Sequence, residues 1–295
     1  MDRRRFLLRA TVTAGAASWL LSRRSTRPTG AASPAPAPAL ADLGLPAATL
    51  VVDDAGFTPP TDSSAGRLLL TVENAGEAPL HFFAARIPDA IADDRIAADL
   101  AGGGDPDWFD MSTLPMLGNP DWPPPGGRAQ AVVDLEAGRW LLVDPIDGRP
   151  PAVWRVAEPD TASATATPPE PVADVEIELV EMAFDGLPAV VPAGPTVWKI
   201  ANRGAMEHEL LVLPVAAGTT AAEAAELLDR VAAGEAEANA FMPMAGQGVT
   251  SAGAASWQAF DLPAGFYAAV CMTPMPGEGF VPHAMAGMVA TFEAR

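Results

Sequence analysis

The chain has 295 residues, 49% of them apolar, so it can bury the cores of two modest domains. Its formal net charge is −19, and beyond residue 40 the balance is 11 basic against 36 acidic side chains, a net −25. A body of that sign repels phosphate backbones, which argues against nucleic acid as a partner. The 31 Pro and 26 Gly favour short elements and many turns over long helices.

In chain order, the first feature is a leader. "MDRRRFLLRATVTAGAASWLL" has a basic head and an apolar stretch interrupted by Arg9, too short and too broken for a clear membrane span. Arg3-Arg4-Arg5-Phe6-Leu7-Leu8 resembles the twin-arginine export signal, and an ordinary secretion signal is the other reading. Both place the protein outside the cytoplasm, in the periplasm or on the extracellular face of the cell membrane. No small-x-small cleavage site stands out, so an uncleaved leader could also associate the chain with a membrane. Residues 1–41 therefore read as signal plus a Pro/Ala linker, "PTGAASPAPAPALA".

Residues 46–157 and 174–295 read as two copies of one plan, separated by a second linker over 158–173. "VDLEAGRWLLVD" (133–144) matches "FDLPAGFYAAVC" (260–271), which sets Asp144 against Cys271. "NAGEAPLHFFAA" (74–85) matches "NRGAMEHELLVL" (202–213), and both His81–Asp144 and His208–Cys271 span 63 residues. His81 is accordingly read as the counterpart of His208. Short alternating runs such as "VEIELVE" and "GFYAAVC", bounded by Gly, Pro or Asn, predict strands. Strands at this density predict a mainly β protein of two tandem antiparallel β-sandwiches. One helix is predicted inside each copy, over 88–104 and 219–234, from helical apolar spacing with Gly at the stop.

The second copy concentrates the chemistry. It holds the only cysteine, Cys271, two of the three histidines, His208 and His283, and Met288. A thiolate, two imidazoles and a thioether suit a trigonal copper site with a weak axial sulfur. Zinc also accepts Cys and His but not Met as a fourth ligand. In the order His, then Cys…His-x4-Met late in the copy, the sequence resembles the cupredoxin family. That resemblance implies tandem cupredoxin-like Greek-key sandwiches, one type 1 copper ion, and the transfer of single electrons to and from a redox partner protein. It makes His208 the early ligand, Cys271 the thiolate, His283 the late imidazole and Met288 the axial candidate, with Met272, Met275 and Met285 as alternatives. It also implies a route for electrons through His283 near the surface. Eleven residues separate Cys271 from His283, longer than the family's usual interval, and "MTPMPGEGFVP" is expected to fold back as a rigid flap.

The first copy, with Asp144 in place of the thiolate and a last loop of nine residues from Asp144 to Val153 against eighteen from Cys271 to Val289, reads as one that lost its metal. Three histidines are too few for a second catalytic copper in one chain, and a cysteine nucleophile would sit in an apolar pocket that keeps its thiol protonated. The expectation is therefore a protein that is not an enzyme. Copper storage or delivery through the extra methionines, and a metal-free binding module, are the alternatives. The sequence leaves the oligomeric state open.

Overall fold

The computed structural model describes residues 38–102, 106–159, 168–232, 235, 242–276 and 281–295. The leader and most of the first linker lie outside the described residues, as do residues 160–167 of the second linker. The protein is mainly β, built as two β-sandwich copies. One apolar core draws on residues between Ala48 and Val156, the other on residues between Val175 and Ala294.

Alternation explains which side chains enter each core. In strand Val175–Val180, Val175, Ile177 and Leu179 turn inward while Glu176 and Glu178 face solvent. Trp198 is fully buried and meets Phe260 edge-on at 5.3 Å and Phe292 at 5.6 Å. A buried indole of this kind is worth about 3–5 kcal/mol against alanine. The sandwiches are not purely antiparallel. In each copy the opening strand runs parallel to its neighbour, Ala47–Asp53 beside Gly66–Asn74 and Val175–Val180 beside Gly194–Asn202. Apolar alternation reports which face is buried but carries no information about strand direction.

Each predicted helix forms, shorter than its pattern. The first spans Asp93–Ala101 because Pro88 to Ile91 closes a turn instead. The second spans Ala221–Ala232 and starts with a capping box: Glu223 N–H donates to Thr220 Oγ1, and Thr220 N–H donates to Glu223 Oε2. Ala224 and Leu228 on this helix pack against Leu211 and Leu213.

The two copies share their sheets. An eight-stranded sheet crosses between them where Ala255–Leu262 pairs with Arg128–Leu135, and a six-stranded sheet crosses where Ala245–Thr250 pairs with Pro120–Asp121. In the first crossing Gln258 faces Ala131, and in the second Gln247 faces Pro120. Gln258 and Ala131 are 127 positions apart, the offset of Cys271 from Asp144, so in the first crossing a residue meets its own counterpart in the other copy. The junction thus has the self-complementary form of a two-fold interface. It is sealed by Val132, Val197 and Trp257 on one side, with the Arg67 guanidinium 4.7 Å from the Trp257 ring centroid. Polar bonds also cross it, including Gln258 Nε2 to Gly118 O at 3.0 Å.

Gly118 shows how tightly this junction is packed. Its φ is +67°, and a Cβ there would lie 2.4 Å from Thr250 Oγ1, a buried hydroxyl already donating to Gly248 O. Gly118→Ala is expected to destabilise the protein by on the order of 2 kcal/mol or more, combining left-handed strain with a clash. Thermal or denaturant unfolding reads this directly.

Candidate metal centre

Three elements bring the site together. His208 opens strand His208–Val215, Cys271 follows strand Gly265–Val270, and His283 opens a short 3-10 turn, His283–Ala286. Antiparallel pairing of the first two strands, with Leu211 opposite Val270, sets His208 and Cys271 at the same end of the sandwich. The late loop folds back as the sequence suggests. Met275 N–H donates to Val281 O, His283 N–H donates to Thr273 O, and Pro274 bridges Pro282, although residues 277–280 lie outside the described residues. Ala284 N–H then donates to Cys271 O at 2.8 Å, which fixes the turn against the thiol. On the other side Asn202 ties down the loop before His208. Its Nδ2 donates to Met206 O and Thr250 O, and its Oδ1 accepts Gly204 N–H.

The donor atoms converge. Cys271 Sγ lies 3.5 Å from His283 Nδ1 and 3.9 Å from His208 Nδ1, and the two Nδ1 atoms are 3.0 Å apart. A point equidistant from the three is about 2 Å from each, within the range of metal–nitrogen and metal–sulfur bonds. All three residues are fully buried, and they are the one His/Cys/Asp/Glu group among the described residues able to hold an ion. Both Nε2 atoms lack a hydrogen-bond partner among the described residues. Glu209 N–H donates to Cys271 Sγ at 3.4 Å.

Burial sets the protonation states. It pushes the Cys271 thiol up to about 12, with the Glu209 charge adding to the rise. It pulls His208 down to about 4, helped by the neighbouring His283, and it lowers His283 as well. At neutral pH the imidazoles are therefore neutral with free lone pairs, as metal ligation requires, and only the thiol must give up a proton.

Met288 is fully buried in the same apolar cluster as Cys271. Its N–H donates to His283 O and its carbonyl accepts Cys271 N–H, so its backbone is bonded to both ligand residues. Of the alternatives, Met285 is 40% exposed, and Met272 packs in a different cluster with Trp122 and Leu211. Two imidazoles, one thiol and a buried thioether-bearing neighbour fit a single type 1 copper ion better than zinc. His283 does not reach the surface as expected: it is fully buried, and the exposed side chain of its turn is Met285.

The first copy corrects one reading. With Cys271 set over Asp144, the pairing of Phe83 with Val143 sets Leu211 over Phe83. It follows that His208 corresponds to Leu80, a fully buried core residue, while His81 corresponds to Glu209. A one-residue difference in register turns a side chain to the opposite face, so His81 is not a relic ligand. The equal 63-residue intervals misled, whereas aligning Asn74 with Asn202 finds the correct match. Both asparagines cap the following loop, Asn74 Nδ2 donating to Ala78 O as Asn202 Nδ2 does to Met206 O. Asp144 has become half of an ion pair, with Oδ2 accepting from Arg149 Nη1 at 2.5 Å and Oδ1 accepting Ile146 and Asp147 N–H.

Sequence reasoning also passed over Glu209, Asp121 and Trp122. A carboxylate within the apolar run "HELLVL" was the available signal for the first.

No protein-family model matches the chain, and no curated protein matches it. Solved structures similar to it include reduced auracyanin from the photosynthetic bacterium Roseiflexus castenholzii, 22% identical with a TM-score of 0.30, over 41% of this chain and 95% of that one. A copper nitrite reductase from Nitrosomonas europaea is 12% identical with a TM-score of 0.24, over 84% of this chain and 93% of that one. A multicopper oxidase from Campylobacter jejuni is 11% identical with a TM-score of 0.26, over 87% of this chain and 65% of that one. The last two span both copies, and both are enzymes. This corrects the expectation that the chain is not an enzyme, which its small number of histidines does not establish.

Proposed function

We propose that this protein holds one type 1 copper ion at His208, Cys271 and His283, with Met288 as axial neighbour, and uses it to pass single electrons to and from a redox partner protein outside the cytoplasm. The observation that carries the reading is the convergence of Sγ and two Nδ1 atoms within 3.0–3.9 Å inside a closed apolar pocket. When bound, copper supplies a one-electron couple between its two oxidation states. The chain's own residues supply the rest. Backbone hydrogen bonds from Ala284, Met288 and Cys271 hold the Cys271, His283 and Met288 segments in one frame, and strand pairing sets the His208 strand beside them, so ligand positions change little between the two states. Apolar neighbours such as Leu210, Ala269 and Phe292 keep water from the thiol.

Export is proposed from the leader. Among the described residues no helix is long and apolar enough to cross a membrane. Partner docking is proposed to use the end of the molecule near exposed Met285. The test is a reductive titration of the copper-loaded protein. One electron per chain should bleach an intense visible band, and reoxidation should restore it. Uptake of several Cu(I) ions without a reversible one-electron step would favour storage or delivery instead.

A further inference from the structure

The strand that pairs with the start of the His208 strand carries one residue too many. Leu210, Leu211 and Val212 face Gln247, Gly246 and Ala245 in regular register, yet His208 faces Thr250, so Gly248 and Val249 stand together against Glu209. Two residues against one make a β-bulge, a device that bends a strand and re-aims the side chains beside it. The copper-free copy grips both bulge residues. Gly248 N–H donates to Asn119 O at 2.8 Å, and Val249 O accepts Gly118 N–H at 2.9 Å. A Cβ on Gly248 would lie 2.7 Å from Asn119 Oδ1, so the two segments meet with no room for a side chain. Just beyond the bulge, Met116 N–H donates to Ser251 Oγ at 2.8 Å. The Val249 side chain leaves its own copy's core and is buried with Phe83, Ala85, Leu114 and Met116.

The gripping segment is itself fixed. Leu117 N–H donates to Ala84 O at 3.1 Å and Arg86 N–H to Pro115 O at 2.8 Å, which ties it to strand Phe83–Ile87. From the bulge the bonds run on to the ligand. Thr250 O accepts Asn202 Nδ2 at 2.8 Å, and the same amide holds the loop before His208 through Met206 O. The exchange between copies is reciprocal. Pro123 O accepts Asn74 Nδ2 as Thr250 O accepts Asn202 Nδ2, which makes Trp122 the counterpart of Val249. Trp122 is buried in the second copy's cluster with Leu211, Val270 and Ala284, over Gly246, where a Cβ would lie 3.0 Å from its ring. Its φ of +60° is one that a bulky residue keeps only where its surroundings impose it. Each copy thus seats one residue in the other.

We propose that the copper-free copy positions the His208 ligand: by seating Val249 and bonding its neighbours, it holds the bulge that keeps Thr250 opposite His208. Val249 and Leu114 are positioning residues, acting on the ion only through His208. A regular ladder would set Val249 opposite His208 and move Thr250 O away from Asn202, releasing the loop that precedes the imidazole. The proposal rests on the copper reading above for its second readout, and its first readout needs no metal.

Leu114→Ala empties the seat from the copper-free side, and Val249→Ala empties it from the other. Leu50→Ala, in the main core of the copper-free copy, is the control for a plain loss of packing. In the metal-free full chain, the His208 ring signals in the NMR spectrum should shift in Leu114→Ala and in Val249→Ala, and stay in place in Leu50→Ala. In the copper-loaded protein, both seat variants should release the ion about tenfold faster than wild type, the scale on which supporting partners of ligands act, and Leu50→Ala should release it at the wild-type rate. The double variant Leu114→Ala/Val249→Ala should release it no faster than the faster single variant, because both changes empty one seat. Unshifted His208 signals in Leu114→Ala, or an equal shift in Leu50→Ala, overturns the proposal. If Leu114→Ala does not fold, Ser251→Ala, which removes the acceptor of Met116 N–H, decides: it should shift the same signals, and an unchanged spectrum refutes the coupling. A wild-type chain that takes up no copper ends the copper reading, while the ring signals still test the hold on His208.

Discussion

Cys271→Ser is expected to remove the intense visible charge-transfer band entirely and to weaken copper binding by about a hundredfold or more, since even partners one bond removed from a ligand cost tenfold to a hundredfold. The reason is local. Cys271 is the only thiol in the chain, and its sulfur is the one soft anionic donor within 4 Å of both imidazole Nδ1 atoms. A serine hydroxyl is smaller, harder and far more reluctant to ionise in the same apolar cluster. The fold should survive, because the residue is a small part of a core that also contains Trp198, Phe260 and Phe292. Equal melting temperatures for the two metal-free proteins would show that the loss is one of chemistry. A band that persists in Cys271→Ser would remove the thiolate from the centre and with it the type 1 assignment.

The second large effect is in pH. Burial holds the Cys271 thiol near 12 and His208 near 4, with His283 lowered too. Between about pH 7 and 9 the imidazoles, both lowered by burial, are already neutral, and the ion must displace one proton, from the thiol. Apparent copper affinity should therefore rise about tenfold for each unit of pH in that window. Below about pH 4, where His208 also takes up a proton, the dependence should steepen. The sign follows from the raised thiol: its proton competes at every pH below its own value. At pH 7 that competition lowers the apparent affinity by about five decades relative to the ionised thiolate. Competition against a chelator of known pH behaviour, or direct measurement of proton release on binding, reads the slope. A flat profile would mean that the sulfur is already ionised before the metal arrives.

Much of this arrangement could be read from the residues, and the reasons are specific. Val175, Ile177 and Leu179 alternate with Glu176 and Glu178, and period-two burial leaves a clear mark in a string of letters. Cys271, His208 and His283, whose donor atoms the fold brings within 3.0–3.9 Å of one another, and the buried Met288 stand out in the sequence because soft and imidazole donors are scarce in this chain. Other features depend on pairings made at a distance. The parallel opening strands, the sheets that run through both copies, and the register that turns His81 away from its expected place are all set by backbone bonds between remote segments. His81 is the clearest case. Counting residues along the chain made it a match for His208, while the ladder between Phe83 and Val143 makes it a match for Glu209. The burial of His283 was missed because sequence spacing does not report how far a neighbouring turn covers a ring.

The paired edges at the junction have an evolutionary consequence. Gln258 against Ala131 repeats a contact that two separate, identical chains would make as a symmetric homodimer. Joining two such chains end to end keeps the contacts and frees each half from having to match the other. One descendant could then give up its ion-holding loop and turn a former surface position toward its twin, a division of labour closed to a true homodimer.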